Sequence, residues 1–154
     1  MNQNVVKWVV ESCDYQNAKS PQDYIGMANA WHYAMEDVRL GIDFDGHDYR
    51  GFGITVHNLQ TMIALIRNVN HVPFRSQRAD FANGNSALKP QFIERQLDII
   101  LTYQGQMNPQ DFYYDLMEIH PWDDGNGRVG TICFNLLNRS LYNPIHPKND
   151  RWNG

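Results

Sequence analysis

The segment Ile119–Gly130, IHPWDDGNGRVG, is the stretch from which the rest of the chain is interpreted. The residues before it, from Asp111, and after it, to Tyr142, have helical periodicity, which predicts a short loop between two helices. Gly125-Asn126-Gly127 then opens the second helix. The first backbone N–H groups of a helix have no intrahelical partner, and glycine lets a ligand approach them closely. Together with the helix dipole they favour an anion, so the segment predicts a phosphate site.

Three side chains of this segment add chemistry to the predicted phosphate site. Arg128, on the first helical turn, can place a planar guanidinium on the same phosphate. Asp124 can hold the magnesium ion that accompanies a nucleotide. His120 titrates near neutrality and is the natural proton acceptor. A helix C-terminus favours charged imidazole whereas burial opposes it, so the protonation state of His120 stays open at this stage.

The segment resembles the motif His-x-Phe-x-Asp/Glu-Gly-Asn-Gly-Arg-x-x-Arg of the Fic (filamentation induced by cAMP) family. Trp122 stands where the motif has Phe, and Thr131 stands where it has its second Arg. The positions that match in type and spacing are His120, Asp124, Gly125, Asn126, Gly127 and Arg128. The resemblance is specific over residues 119–130. Over about residues 20–142 it rests only on the order of the predicted helices.

The resemblance implies an all-α, Fic-like helical fold with a short β-hairpin flap, in one domain spanning residues 1–154. The domain core is expected over about 20–142, the flap over about 72–88 and a C-terminal surface extension over 143–154. The flap segment loses helical periodicity and contains Pro73 and Asn83-Gly84, which suit a hairpin. In the family such a flap aligns a target peptide by strand addition. Arg75 and Arg78 either face the target or the nucleotide, or are solvated charges on a loop.

The activity implied by the resemblance is transfer of AMP from ATP to a Ser, Thr or Tyr hydroxyl of a target protein (AMPylation). In that scheme His120 removes the hydroxyl proton, and Asp124 binds Mg²⁺. The segment Gly125–Gly127 cradles the phosphates through backbone N–H groups and the Asn126 amide, and Arg128 neutralises charge on the β-phosphate. Trp122 is expected to be a buried anchor of the loop. The implied partners are a nucleotide and a target protein bound through the flap.

Thr131 is the main departure from the motif. It cannot make the charged contact that the second Arg makes with the outer phosphates, so the donor is either held differently or is not ATP. Related Doc kinases have Lys at the second Gly of Gly-Asn-Gly, which Gly127 argues against. The inhibitory motif Ser/Thr-x-x-x-Glu-Gly/Asn is absent, so that kind of self-inhibition is not expected. A non-catalytic Fic-fold binding protein and a hydrolase using His120 and Asp124 with a metal-bound water stay open.

Composition restricts the remaining possibilities. The 154 residues are 42% hydrophobic and 19% charged, which suits one globular domain. The net charge of −4 and the lack of a basic block do not suggest nucleic-acid binding. Neither a signal peptide nor a long apolar run is evident, so we expect a cytoplasmic protein of the producing or a host cell. Cys13 and Cys133 are expected to be free thiols, and the acidic loop Asp43–Asp48 does not fit an EF-hand.

Six helices are predicted from caps and apolar spacing. Their approximate ranges are 5–12, 21–40, 55–69, 90–105, 109–119 and 126–142. In the second helix the apolar residues at three- and four-residue steps predict a core-facing stripe, namely Ile25, Ala28, Trp31, Met35 and Val38.

Overall fold

The computed structural model of the chain describes residues 3–38 and 53–149, and within these ranges the regular secondary structure is helical. The prediction of an all-α fold is confirmed. The α-helices of the described ranges are α1 (Gln3–Tyr15), α2 (Pro21–Asp37), α3 (Val56–Arg67), α4 (Ile93–Thr102), α5 (Pro109–Ile119) and α6 (Asn126–Leu137). Short 3-10 turns at Pro90–Phe92 and Gln104–Gln106 flank α4.

Local sequence explains where several helices start. The Ser20 hydroxyl accepts a hydrogen bond from the backbone N–H of Asp23, whose carboxylate accepts from the Ser20 backbone in return. Thr55 and Asn58 form the same reciprocal arrangement at the start of α3. These capping boxes satisfy backbone donors that the first turn of a helix leaves unpaired. At α5, Asn108 caps the helix and proline follows at the first helical position.

The predicted ends of α2, α3, α4 and α6 lie further along the chain than the observed ones, and two of them are explained by the local backbone. α2 ends at Asp37, where Val38 turns to extended backbone, rather than at residue 40. α6 ends at Leu137 rather than at residue 142, and Arg139 just beyond it has a φ of 58°. A positive φ takes the chain out of a right-handed helix. Apolar spacing continues past such a residue and does not reveal it.

The predicted core stripe of α2 is partly wrong. Trp31 is fully buried as expected, but the Ile25 side chain is 56% exposed. The buried face instead includes Met27, Ala30 and Ala34. Small residues let α2 approach α3 closely. The prediction relied mainly on large apolar side chains and did not include these small residues.

α6 is the central helix of the fold. It packs against α5, α3 and α2. All but two of its residues are buried, from Asn126 to Leu136 with the exception of Gly127. Because protein interiors are close-packed, a helix enclosed in this way presents its first turn as a rigid edge.

The flap segment does not form the predicted pair of β-strands. Asp80 and Ser86 form an isolated antiparallel bridge, and no strand is assigned in residues 3–38 and 53–149. The tip between them turns at Gly84, whose φ is 87°. The predicted β-hairpin is therefore reduced to one bridge around a tight turn. The segment is still tied at both ends, since the Arg75 N–H donates to the Pro121 carbonyl at 2.8 Å and the Leu88 N–H to the Glu118 carbonyl at 3.0 Å.

The chain after α6, including residues 143–149 of the C-terminal extension, folds back onto the helices. Asn135 of α6 donates to the Ile145 carbonyl at 3.0 Å and accepts from the Ile145 N–H at 2.9 Å. Gln110 of α5 exchanges a similar pair of hydrogen bonds with the backbone of Lys148. The indole N–H of Trp31 donates to the Leu141 carbonyl. The extension is therefore part of the packed body up to residue 149.

Three further expectations can be compared with the structure. Cys13 and Cys133 are both free and buried, as predicted. In residues 3–38 and 53–149 no helix has the length and apolarity needed to cross a membrane. The acidic loop Asp43–Asp48 lies outside the described residues.

The closest backbone approach between α2 and α3 yields a prediction about stability. A Cβ built on Gly26 falls 2.8 Å from the Leu65 carbonyl oxygen and still closer to that of Ile66. Gly26→Ala therefore forces two packed backbones apart and is expected to lower the free energy of unfolding by about 2 kcal/mol. Gly105→Ala is the matched control, because nothing lies within 4 Å of its added Cβ. Urea denaturation measures both, and equal stability of the two variants would contradict the packing argument.

Candidate active site

The loop between α5 and α6 is shaped by two left-handed residues. His120 ends α5 with φ 52° and ψ 65°, and its N–H donates to the Leu116 carbonyl at 2.9 Å. Gly125 begins α6 with a φ of 93°. A Cβ at Gly125 would fall 2.5 Å from the Ile63 side chain, so both conformation and space require glycine here.

The Asn126 side chain closes the same loop. Its Oδ1 accepts from the Trp122 N–H at 3.0 Å, and its Nδ2 donates to the Trp122 carbonyl at 2.7 Å. Trp122 is fully buried, as predicted for an anchor. The sequence assigned the Asn126 amide to a phosphate, but this amide is occupied by the loop. Any phosphate contact from Asn126 would come from its backbone N–H.

The loop and the start of α6 border a cavity of about 500 Å³. His120 and Met117 line it from the end of α5, and Tyr15 and Gln16 from the end of α1. The remaining lining comes from Asp123, Asp124, Gly125, Asn126, Gly127 and, in the extension, Asn149. The first N–H groups of α6, which have no intrahelical acceptor, therefore border the same space as the imidazole.

The His120 side chain is enclosed on several sides. The ring of Phe81, from the flap, meets it edge-on with centroids 5.5 Å apart. Its Nδ1 is buried without a hydrogen bond of ordinary geometry. Burial lowers the pKa of His120 below its ordinary 6.5, against smaller opposing effects of the Met117 carbonyl and the Asp124 carboxylate. This direction favours a neutral imidazole at pH 7.

Asp124 has the surroundings expected of a residue that shares a metal ion with a substrate. Its side chain is 69% exposed. Oδ1 accepts from the Gly125 N–H at 2.9 Å, and Oδ2 lies 3.4 Å from Arg128. Mg²⁺ is commonly held by one or two carboxylates together with substrate phosphates and water. No cluster of three metal-ligating side chains exists in residues 3–38 and 53–149, so Asp124 fits only this shared kind of site. Asp123 is exposed.

Arg128 lies in a different place from the one the sequence suggested. Its side chain is only 5% exposed and pairs with Asp23 at 3.5 Å and Asp124 at 3.4 Å. It does not line the cavity. In this arrangement Arg128 joins the start of α2 to the motif loop and orients the Asp124 carboxylate. The predicted contact with a β-phosphate would require its guanidinium to leave these partners.

Arg75 is neither a solvated charge nor a residue that faces the cavity. It is 3% exposed, and its guanidinium donates to backbone carbonyls only. These are the carbonyls of Gln77 at 2.9 Å, Ile119 at 3.0 Å, His120 and Leu88. One side chain thus joins both ends of the flap segment to the turn that orients His120. Arg78, by contrast, is exposed and pairs with Asp80.

Gln16 is a cavity residue that the sequence analysis missed. A Cβ on Gly127 would collide with the Gln16 amide, so this amide lies directly over the start of α6. The amide makes no hydrogen bond within the part of the chain that the structure describes, and its long side chain is free to rotate. A signal was present in the sequence. Ser12-x-x-x-Gln16-Asn17 differs from the inhibitory motif Ser/Thr-x-x-x-Glu-Gly/Asn by one replacement, Gln for Glu.

Comparison with known proteins agrees with the helical arrangement and the motif. The model of the Fic/DOC family matches residues 55–137, more than half of the chain. The chain belongs to the Fic/DOC family. Two solved structures of Fic-1 from C. elegans, one a single-residue variant, superpose on this Fic/DOC chain with TM-scores of 0.54 and 0.57 at 20% and 19% identity. The alignment covers 83% of this chain but 40% of each Fic-1 chain. Among curated protein sequences no match is found.

Burial of His120 gives a prediction about its titration. Its pKa in the folded protein is expected below 6.5, because desolvation disfavours the imidazolium. The unfolded chain then binds this proton at a higher pH than the folded one. The contribution of His120 to the free energy of unfolding therefore declines as pH falls through the unfolded pKa. NMR titration of the ring resonances measures the pKa, and a value above 6.5 would contradict the proposed neutral base.

The carbonyl contacts of Arg75 give a second prediction. Arg75→Gln leaves several buried carbonyl oxygens without a donor and is expected to lower the free energy of unfolding by about 2–4 kcal/mol. Arg78→Gln removes an exposed ion pair and should change it by less than about 1 kcal/mol. Chemical denaturation of both variants makes the comparison. A similarly small effect in the two would show that Arg75 does not hold the turn.

Proposed function

We propose that this Fic/DOC chain is a nucleotidyltransferase that moves a nucleoside monophosphate from a nucleotide donor to a hydroxyl of a target protein. AMP transfer from ATP is the reaction that the family resemblance implies and the first to test. The observation that carries the proposal is the shared cavity, in which a buried imidazole with a lowered pKa faces the first N–H groups of α6. A proton acceptor and an anion cradle in one space are what hydroxyl attack on a phosphate requires.

The proposed reaction follows from these positions. His120 accepts the proton of a Ser, Thr or Tyr hydroxyl as its oxygen bonds to the α-phosphorus. The bond from that phosphorus to the bridging oxygen breaks, and with ATP as donor pyrophosphate leaves. The N–H groups of Asn126 and Gly127 stabilise charge on the phosphate oxygens. Asp124 holds Mg²⁺, which neutralises phosphate charge when bound.

Gln16 must rotate away for a phosphate to contact Gly127. A glutamine side chain without hydrogen bonds can do so at the cost of side-chain entropy alone. The movement is therefore compatible with donor binding. It also means that the end of α1 adjusts to whatever occupies the cradle.

The flap is proposed to receive the target. Its tip, residues 82–86, is exposed, and Phe81 at the base of the tip contacts the His120 ring. A peptide that adds to the flap would consequently bring a side-chain hydroxyl near the imidazole.

The test uses the purified chain, Mg²⁺, a cell lysate and each ribonucleotide labelled on its α-phosphate. Labelled protein is identified by mass. We expect transfer in the native chain and a loss of about 10²–10⁴-fold in His120→Ala, because a positioned base contributes that much. His57→Ala is the matched control, since His57 is exposed on α3. Circular dichroism confirms that both variants are folded.

Other outcomes would identify the alternatives. Nucleotide binding without transfer, unchanged in His120→Ala, would indicate a non-catalytic binding protein. Release of nucleotide from a premodified target, without transfer, would indicate a hydrolase. Either result would overturn the proposed transferase.

A further inference from the structure

A second cavity of about 260 Å³ adjoins the first. Gly127 and Gln16 border both, whereas His120 borders only the first and Thr131 only the second. We call the second one the outer cavity. If the reacting phosphate lies beside His120 and the donor crosses Gly127, the far end of the donor enters the outer cavity. This step rests on the proposed function.

The described lining of the outer cavity is poor in charge. None of the described residues that line it is Lys, Arg, Asp or Glu. The Thr131 hydroxyl already donates to the Gly127 carbonyl at 2.8 Å. The ring of His146 packs on Trp8 with centroids 3.9 Å apart, and burial lowers its pKa below 6.5. A terminal phosphate here would lose hydration without gaining a cation, which is costly.

The same cavity has polar groups that suit a neutral ligand. Asn149 lines both cavities, and its Oδ1 is buried without a hydrogen-bond partner. The Gln16 amide, which borders both cavities, also makes no hydrogen bond within the described ranges. A buried carbonyl oxygen needs a donor, and leaving it unpaired costs about 1–3 kcal/mol. An ionised phosphate has only acceptors, whereas a hydroxyl group can supply the missing donor.

We propose that the donor is a nucleoside diphosphate whose second phosphate is esterified with a neutral, hydroxyl-bearing group such as a sugar. The outer cavity selects that group over a terminal phosphate. In the transfer, the target oxygen bonds to the α-phosphorus and the bond to the bridging oxygen breaks. The sugar phosphate leaves with the electron pair, and the hydroxyl proton passes to His120. The products are the nucleotidylated protein and a sugar monophosphate.

Calorimetry with the native chain and Mg²⁺ tests the preference independently of transfer. The ligands are ADP, ATP and ADP-ribose, and in parallel UDP, UTP and UDP-glucose, so that a purine and a pyrimidine base are both tested. In at least one series we expect the sugar ester to bind about tenfold more tightly than the triphosphate, the size of effect that one satisfied buried polar group supplies.

Two substitutions address the residues themselves. Thr131→Arg adds a cation to the outer cavity and should reverse the preference in favour of the triphosphate. Thr131→Met, of similar reach but uncharged, should weaken the sugar ester without strengthening the triphosphate. Asn149→Leu removes the unpaired oxygen from the extension, at a site that does not disturb α6. It should remove most of the advantage of the sugar ester over the triphosphate.

The outcomes separate this inference from the proposed function. A triphosphate bound as tightly as the sugar ester in both series, with Asn149→Leu without effect, would overturn the donor class and leave nucleotidyl transfer standing. Selective binding of the sugar ester without transfer to any lysate protein would overturn the transferase but support the selectivity. Failure of all six ligands to bind would overturn both.

Discussion

The two hydrogen bonds between the Asn126 amide and the backbone of Trp122 are the constraint on which the site depends. They fix the spacing between the end of α5 and the start of α6 across the loop that joins the two helices. Because the indole of Trp122 is fully buried, the loop is anchored in the core on one side and clipped to α6 on the other. The imidazole and the N–H cradle thus belong to one rigid unit, as transfer chemistry based on positioning requires.

Much of this unit could be predicted from the sequence, and the failures have physical causes. The loop between two helices, the burial of Trp122 and the exposure of Asp123 follow from the motif alone. Arg128 and Arg75 could not be placed, because a guanidinium forms equally good contacts with a phosphate, a carboxylate or a set of carbonyls. Only the fold decides which of these lies within reach. The flap was predicted from turn residues, but the number of paired residues beside a turn depends on contacts that are distant in sequence.

Gln16 and Thr131 are best considered together. In the motif to which this chain is similar, the inhibitory Glu partners the second Arg, and here both positions are neutral. The structure brings both residues to the wall of one cavity. Loss of the pair as a whole leaves a neutral space beside the cradle. The departure at Thr131 is therefore a change in what the cavity can accept rather than a defect in the cradle, whose backbone donors are independent of that side chain.

The Asn135 amide, described above as the attachment of the C-terminal extension, also determines how a ligand can enter. It lies inside α6, is fully buried, and bonds to the Thr131 carbonyl, the Ser140 hydroxyl and both backbone groups of Ile145. Lifting the extension away would expose these polar groups inside the core. The extension is therefore a fixed wall of the outer cavity. We therefore expect a ligand to enter both cavities without displacement of the extension.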